Sequence, residues 1–232
     1  MKRFLPFIII IAVLLLAVGV GWMVLRARQG NVASPAVPNV ATGPATAPAT
    51  TPGAAKTKPP TGKLVIVEEY GDYQCPPCGL LYPELKKIEA EYGSNVHMVF
   101  HHLPLTKIHK NALAAAHAAE AAGRQNHFWE MHDRLYRNQK AWAEEADPRP
   151  IFVGYARDLG LDLGRFTRDM DSAEVDSRIT ADSQQATSLG IIGTPTILID
   201  GRQLRPEATT PEGIRRGIDF MLAQKGAAPS SG

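Results

Sequence analysis

Residues 63 to 103 read as strand, helix, strand, and that order constrains the chain more than any other feature. KLVIVEEY (63–70) is a short run rich in β-branched residues, fit for a buried strand. From Cys75 a helical pattern follows, with Leu80, Leu81, Leu85 and Ile88 on one side and an end near Tyr92–Gly93. Pro83 lies inside that pattern and is expected to kink it. NVHMVFHHL (95–103) is a second strand. A strand joined to the next through a helix is the unit that parallel pairing requires, because a tight hairpin cannot return the chain in the same direction.

Both cysteines of the chain, Cys75 and Cys78, stand at the start of that helix, separated by Pro76-Pro77. A C-x-x-C pair beside a βαβ pattern reads as a redox-active dithiol. At a helix N-terminus the first cysteine meets unpaired N–H groups and the positive end of the macrodipole, which favour thiolate. The second, one turn on, is close enough to close a small ring and release a substrate held as a mixed disulfide. Cys75 is therefore expected to be the exposed nucleophile and Cys78 the more buried resolving thiol.

Two other readings of the pair are weaker. As a structural disulfide, a two-residue loop removes little unfolded-state entropy. A zinc site needs about four ligands and no second C-x-x-C is present. All seven histidines fall between 97 and 132, so a mixed Cys/His metal site stays open as an alternative.

Glu69 and GTPT strengthen the redox reading. Glu69 stands six residues before Cys75 on the leading strand; buried, it would have a raised pKa and could accept the proton of Cys78. Glu68 beside it must face the other way, since strand side chains alternate. Pro195 in GTPT precedes the strand TILI, and suits a cis turn entering an edge that faces the thiols. The histidines His101, His102 and His109 flank LPLTK and are read as surface or satisfied core groups, as are His117, His127 and His132 on helices.

Between these parts the pattern is helical. IHKNALAAAHAAEAAG (108–123) is Ala-rich and allows close helix approach. QNHFWEMHDRLYRNQ (125–139) spaces Phe128, Met131, His132 and Leu135 as one amphipathic face; Phe128, Trp129 and Met131 are expected as core. Residues 150 to 190 continue in the same mode, with breaks expected at Gly160 and Gly164. TPTILIDGRQL (194–204) returns to strand with a hairpin at Asp200-Gly201, and Thr210-Pro211-Glu212 starts a last helix.

The front of the chain differs. Residues 4 to 25 are 22 uncharged residues in a row, long enough as a helix to cross a bilayer core of roughly 30 Å. A cleaved signal peptide would have a shorter apolar region, about 7 to 15 residues, and a small-residue cleavage site. Residues 1 to 30 are thus read as an uncleaved anchor with a cytoplasmic N-terminus. Residues 31 to 62, with seven prolines and no aliphatic cluster, read as a disordered tether. The net charge of +2 rests on Lys2, Arg3, Arg26 and Arg28; without them 21 basic residues meet 23 acidic ones, and nothing points to nucleic acid.

The runs VEEYGDYQCPPC, the Ala-rich stretch with its following FW.MHD.LY, and LGIIGTPTILIDG together resemble the DsbA-like thioredoxin-fold thiol–disulfide oxidoreductases of bacteria, over roughly residues 63 to 225. The resemblance implies an α/β thioredoxin-like fold spanning 63–232 with a helical insertion at about 105–190. It implies a cis-proline loop at Thr194-Pro195, with Thr194 binding the substrate backbone, and a buried acid at Glu69. The expected protein is tethered to the bacterial cytoplasmic membrane by a single N-terminal span, its catalytic domain on the periplasmic or extracytoplasmic side. It exchanges disulfides with protein substrates as an oxidant, is recycled by a membrane redox partner (DsbB-like or a reductase), and needs no cofactor or metal. An electron-fed reductase or isomerase would use the same residues, and a Cys/His metal chaperone is the non-enzyme alternative. The strongly oxidising relatives place a His between the cysteines. Pro76 and Pro77 instead remove two backbone N–H donors, so a less depressed Cys75 pKa and a milder oxidant are expected.

Overall fold

The computed structural model describes residues 64–227. The expected anchor (1–30) and linker (31–62) lie outside the described residues, among which no helix is long and apolar enough to cross a membrane.

The first strand, β1 (Val65–Gly71), leads through a tight turn into α1 (Pro76–Tyr92), and β2 (Val96–His102) follows parallel to β1, as the strand–helix–strand order requires. A chain of helices intervenes: α2 (Ala112–Gly123), α3 (Phe128–Arg137), the single turn α4 (Gln139–Trp142), α5 (Arg149–Asp158), α6 (Leu163–Met170) and α7 (Ala173–Ser188). Then β3 (Thr196–Ile199) and β4 (Arg202–Gln203) form an antiparallel hairpin, and α8 (Pro211–Ala227) closes the described chain. Asp200 and Gly201 both take positive φ, which a two-residue hairpin turn demands. The N-cap expected at Thr210 is present, its Oγ1 accepting from Gly213 N at 3.1 Å.

The sheet order is β2-β1-β3-β4. This corrects the placement of TILI at an edge: β3 is internal, between β1 and β4. Pro195 is tolerated because it precedes the strand's first residue, so its missing N–H breaks no ladder bond.

Alternation along the strands sorts the two faces. Val65, Val67, Ile197 and Ile199 meet Leu81, Leu85 and Ile88 of α1 and Ile214 and Ile218 of α8 in one core. On the opposite face Tyr70 and Leu198 pack with Ala186 of α7 and with Ile191. A further core joins α2, α3, α5 and α6 to the start of α1 and to Phe100, and both cysteines belong to it. The alanines of α2 serve as expected, buried at Ala115, Ala118, Ala119 and Ala122, where small side chains bring neighbouring helices close.

Some details depart from the sequence reading. Leu80 is 77% exposed, not on the buried side; α1 instead buries Cys78, Leu81, Tyr82, Leu85 and Ile88. Helix α1 runs on through Pro83. Gly160, at φ 72°, is a break as expected, but Gly164 sits in the first turn of α6, where Asp162 caps the helix by accepting from Arg165 N at 2.9 Å.

Candidate active site

The site forms where β1 ends. Glu69 shares the face of Val65 and Val67, so it points under α1 and is only 3% exposed. Its register partner across the parallel pair is Phe100. Burial, with the charge of Cys75 as the second cause, pushes its carboxyl from the ordinary 4.5 up to about 8. Glu68, on the other face, bonds His101 Nε2 at 3.2 Å instead.

Asp72 builds the turn that follows. Its backbone carbonyl accepts from Cys75 N at 3.1 Å, its Oδ1 accepts from Gln74 N at 2.7 Å, and its Oδ2 accepts from Leu105 N at 2.9 Å. The same oxygen lies 2.7 Å from His109 Nδ1. Gln74 fastens the turn to the helical insertion: Nε2 donates to Ala143 O at 2.7 Å, and Oε1 accepts from Asn111 N at 2.7 Å. Gln139 Nε2 donates to both Tyr73 O (2.7 Å) and Cys75 O (2.9 Å). Cys75 is thereby fixed as the N-cap residue of α1, with Pro76 in the first helical position, where a missing N–H breaks no helical bond.

Both cysteines are free thiols. The expectation of an exposed Cys75 is corrected: it is 4% exposed and Cys78 is fully buried. The cover over Cys75 includes the loop before β3, where its Sγ–H donates to Thr194 O at 3.5 Å. The Thr194–Pro195 peptide is cis, as expected, and the buried Thr194 hydroxyl also interacts with the Cys75 sulfur. The loop thus stands directly against the first thiol.

The two sulfurs differ sharply in acidity. A hydrogen bond from Cys78 lowers the Cys75 thiol against the cost of its burial, and the contacts with Thr194 and the Cys78 backbone lower it further, to about 6 from 9.0. The Cys78 thiol is driven far upward by burial, by its hydrogen bond to Cys75 and by the charge of Glu69. One sulfur is poised as thiolate and its neighbour as thiol, with a carboxyl of raised pKa beside them. A pair so arranged can exchange a disulfide and move one proton.

The expected residues Glu69, Cys75, Pro76, Pro77, Cys78, Thr194 and Pro195 therefore converge on one end of β1. Asp72, Gln74, His109, Asn111 and Gln139 escaped the sequence reading. A signal existed for Asp72, a capping-type residue three before Cys75 at a strand-to-helix turn. None existed for Gln139, which is 64 residues from the carbonyl it holds. The other histidines are distributed among carboxylates: His102 Nε2 lies 2.9 Å from Glu120 and His101 Nδ1 3.1 Å from Asp182. Among the described residues no three His, Cys, Asp or Glu side chains group as a metal site.

A dithiol at the N-terminus of a helix, faced by a cis-proline loop on a four-stranded sheet, defines the thioredoxin class of site. The chain belongs to that family: the family model described as thioredoxin matches residues 61–220, and the solved structures of like fold are those of DsbA-like thiol–disulfide oxidoreductases. A thioredoxin-like oxidoreductase from Silicibacter pomeroyi DSS-3 is 26% identical with a TM-score of 0.59, over 73% of this chain and 91% of its own. BdbD from Bacillus subtilis, at 22% identity, has the same fold with a TM-score of 0.62, over 71% of this chain and 90% of its own. A Na(+)/H(+) antiporter NhaA 1 from Salinispora arenicola is 41% identical over 140 residues, 60% of this chain. The chain spans about a fifth of the length of the curated relatives it matches.

Proposed function

We propose that the chain is a thiol–disulfide oxidoreductase that oxidises protein substrates through Cys75 and Cys78. The observation that carries this reading is the placement of the two thiols, Cys75 capping α1 against the Thr194 loop and Cys78 fully buried one turn on, which lowers the first thiol and raises the second. A thiol of low pKa leaves readily from a mixed disulfide, and its stabilised thiolate favours the reduced protein, which makes the disulfide form an oxidant.

In this reading a client thiolate attacks Cys75 Sγ of the Cys75–Cys78 disulfide. The S–S bond breaks and Cys78 leaves as thiolate; a proton from the Glu69 carboxyl converts it to thiol. A second client thiolate then attacks the client sulfur of the mixed disulfide and expels Cys75 as thiolate. Two electrons pass from the client to the protein, and Glu69 regains its proton from solvent. Thr194 and Pro195 present backbone to an extended client segment at Cys75. Clients and a membrane redox partner outside the cytoplasm, with residues 4–25 as the membrane anchor and 31–62 as the tether, complete the reading.

The test is the equilibrium reduction potential of the Cys75–Cys78 couple in glutathione buffers. An oxidant is expected between ~−120 and −180 mV; a value near ~−270 mV would assign the protein to disulfide reduction instead. Cys75→Ser is expected to abolish oxidation of a reduced two-cysteine client.

A further inference from the structure

The three residues before α1, Tyr73, Gln74 and Cys75, are all held by one short element of the helical insertion. Helix α4 is a single turn, and both of its ends grip them. At its start Gln139 Nε2 donates to Tyr73 O at 2.7 Å and to Cys75 O at 2.9 Å. Just past its end Ala143 O accepts from Gln74 Nε2 at 2.7 Å. The turn is itself anchored. Trp142 is fully buried with its Nε1 donating to Leu135 O at 3.0 Å, and Asn111 Nδ2 donates to the carbonyls of Trp142 and Ala143 at 3.0 and 3.1 Å.

Gly79 marks the same contact on the side of α1. A carbonyl oxygen has two lone pairs, and Cys75 O serves two donors, Gly79 N at 3.1 Å and Gln139 Nε2. The Gln139 amide therefore lies against Gly79, where a Cβ would stand 2.7 Å from its Oε1 and 3.1 Å from its Nε2. Glycine weakens a helix relative to alanine. Gly79 lies within α1 and has no positive φ to require glycine, so the space it leaves for Gln139 is what a side chain would remove.

Resting on the reading of Cys75 and Cys78 as a disulfide-exchange couple, we propose that Gln139 is a positioning residue that sets how strongly oxidising the couple is, by fixing the Cys75 backbone in the dithiol form. A contact shifts an equilibrium only by the difference in its strength between the two states. In the disulfide form the S–S bond closes Cys75 and Cys78 into a covalent ring and holds Cys75 by itself. In the dithiol form, which this structure shows, that bond is absent and the hold on Cys75 falls to Gln139. Gln139 thus steadies the dithiol more than the disulfide, and the protein takes electrons from a client more readily with it than without it. Two electrons enter and the S–S bond breaks in that reduction; the Gln139 amide gives and takes no proton.

The fixed backbone also keeps Cys75 Sγ beside Thr194 O and the Cys78 thiol, two contacts that favour its thiolate. The helical insertion then has a part in the chemistry, through a side chain 64 positions along the chain from Cys75.

The experiment equilibrates the full chain with glutathione buffers and reads the reduced fraction of the couple in wild type, Gln139→Met, Gly79→Ala and the double variant. Methionine has a side chain of similar length that donates no hydrogen bond. Gln139→Met is expected to move the equilibrium about tenfold toward the disulfide, or ~30 mV in potential, and to raise the pH at which Cys75 thiolate absorbance titrates. Gly79→Ala drives the Gln139 amide away while adding a better helix former, and should shift the equilibrium in the same direction. The double variant should go no further than the larger single shift, because both changes remove one contact; shifts that add would overturn the link between Gly79 and Gln139. An unchanged equilibrium in Gln139→Met overturns the proposal and leaves the oxidant reading standing, since a role in folding alone lowers urea stability without moving the potential. A wild-type couple as reducing as thioredoxin overturns the oxidant reading instead, and the shift between wild type and Gln139→Met still decides the part of Gln139. Should Gln139→Met fail to fold, Gly79→Ala is judged by the same outcome.

Discussion

Asp72 shows how much one side chain three residues from the nucleophile can hold. It is 1% exposed, yet it receives Gln74 N, Leu105 N and the His109 ring, while its carbonyl receives Cys75 N. Its electrostatic effect opposes its structural one. The Cys78 hydrogen bond is the first influence on Cys75 and lowers its pKa, whereas the Asp72 carboxylate raises it. Thiolate absorbance near 240 nm is expected to titrate near pH 6 in the wild type. Asp72→Asn should move that midpoint lower and destabilise the fold by about 1–3 kcal/mol, because the amide cannot accept all three bonds. A midpoint that moves upward would contradict this electrostatic account. The same comparison bears on Pro76-Pro77: the pair leaves the Cys78 backbone N–H as a donor to Cys75, and the lowering survives without donors from positions 76 and 77.

At the scale of elements, α7 is fastened to the back of the sheet by a buried charge cluster. Asp182 is 1% exposed; its Oδ2 accepts from His102 N at 2.9 Å, and its Oδ1 meets His101 Nδ1 at 3.1 Å and Arg178. His101 stacks on Tyr70 with ring centroids 4.5 Å apart, and Glu68 takes its other nitrogen. Burial alone would lower the His101 pKa, but Asp182 and Glu68 overcome it and lift the imidazole to about 8. Asp182→Ala removes one side of this cluster and leaves His101 and Arg178 without their shared carboxylate. The expected cost is about 3–5 kcal/mol in denaturant unfolding, with faster hydrogen exchange at the His102 amide. Unchanged exchange at His102 would mean that α7 is held by its apolar contacts alone. The amphipathic pattern of a helix does not reveal such a cluster, because Asp182 reads as an ordinary polar position until the sheet is beneath it.

For the whole molecule, two groups tie stability to pH in the same direction. Glu69, raised from 4.5 to about 8, binds a proton in the folded state that the unfolded chain has lost across that window. Stability therefore falls as pH rises from about 5 to 8. His101, raised from 6.5 to about 8, contributes stability that is complete below 6.5 and is lost as pH rises through 8. Cys75 works the other way in the reduced protein: its lowered thiol adds stability as pH rises above about 6. The disulfide form removes that contribution, and burial, the first cause of the Glu69 shift, remains. Urea unfolding of the oxidised protein is thus expected to lose about 5 kcal/mol between pH 5 and 8, and Glu69→Gln to flatten most of that slope. A variant with the full wild-type slope would show that Glu69 ionises normally in the fold.

The sequence by itself determined the parts governed by local rules. Strand and helix periodicity identified β1, α1 and β2 and their parallel pairing, the turn at Asp200-Gly201 followed from backbone sterics, and C-x-x-C at a helix start identified the dithiol. Alternation on β1 separated Glu69 from Glu68 before either partner was known. Only the tertiary structure decided what depends on distant chain. It showed that Leu80 faces solvent, that β3 is internal, that Cys75 is covered by the Thr194 loop, and that Gln139 and Gln74 tie the turn to the helical insertion. Periodicity and capping act within a few residues along the chain. Burial, hydrogen bonds and the pKa values they set are properties of neighbours in space, and Cys75 and Thr194, which touch at the site, stand 119 positions apart in the chain.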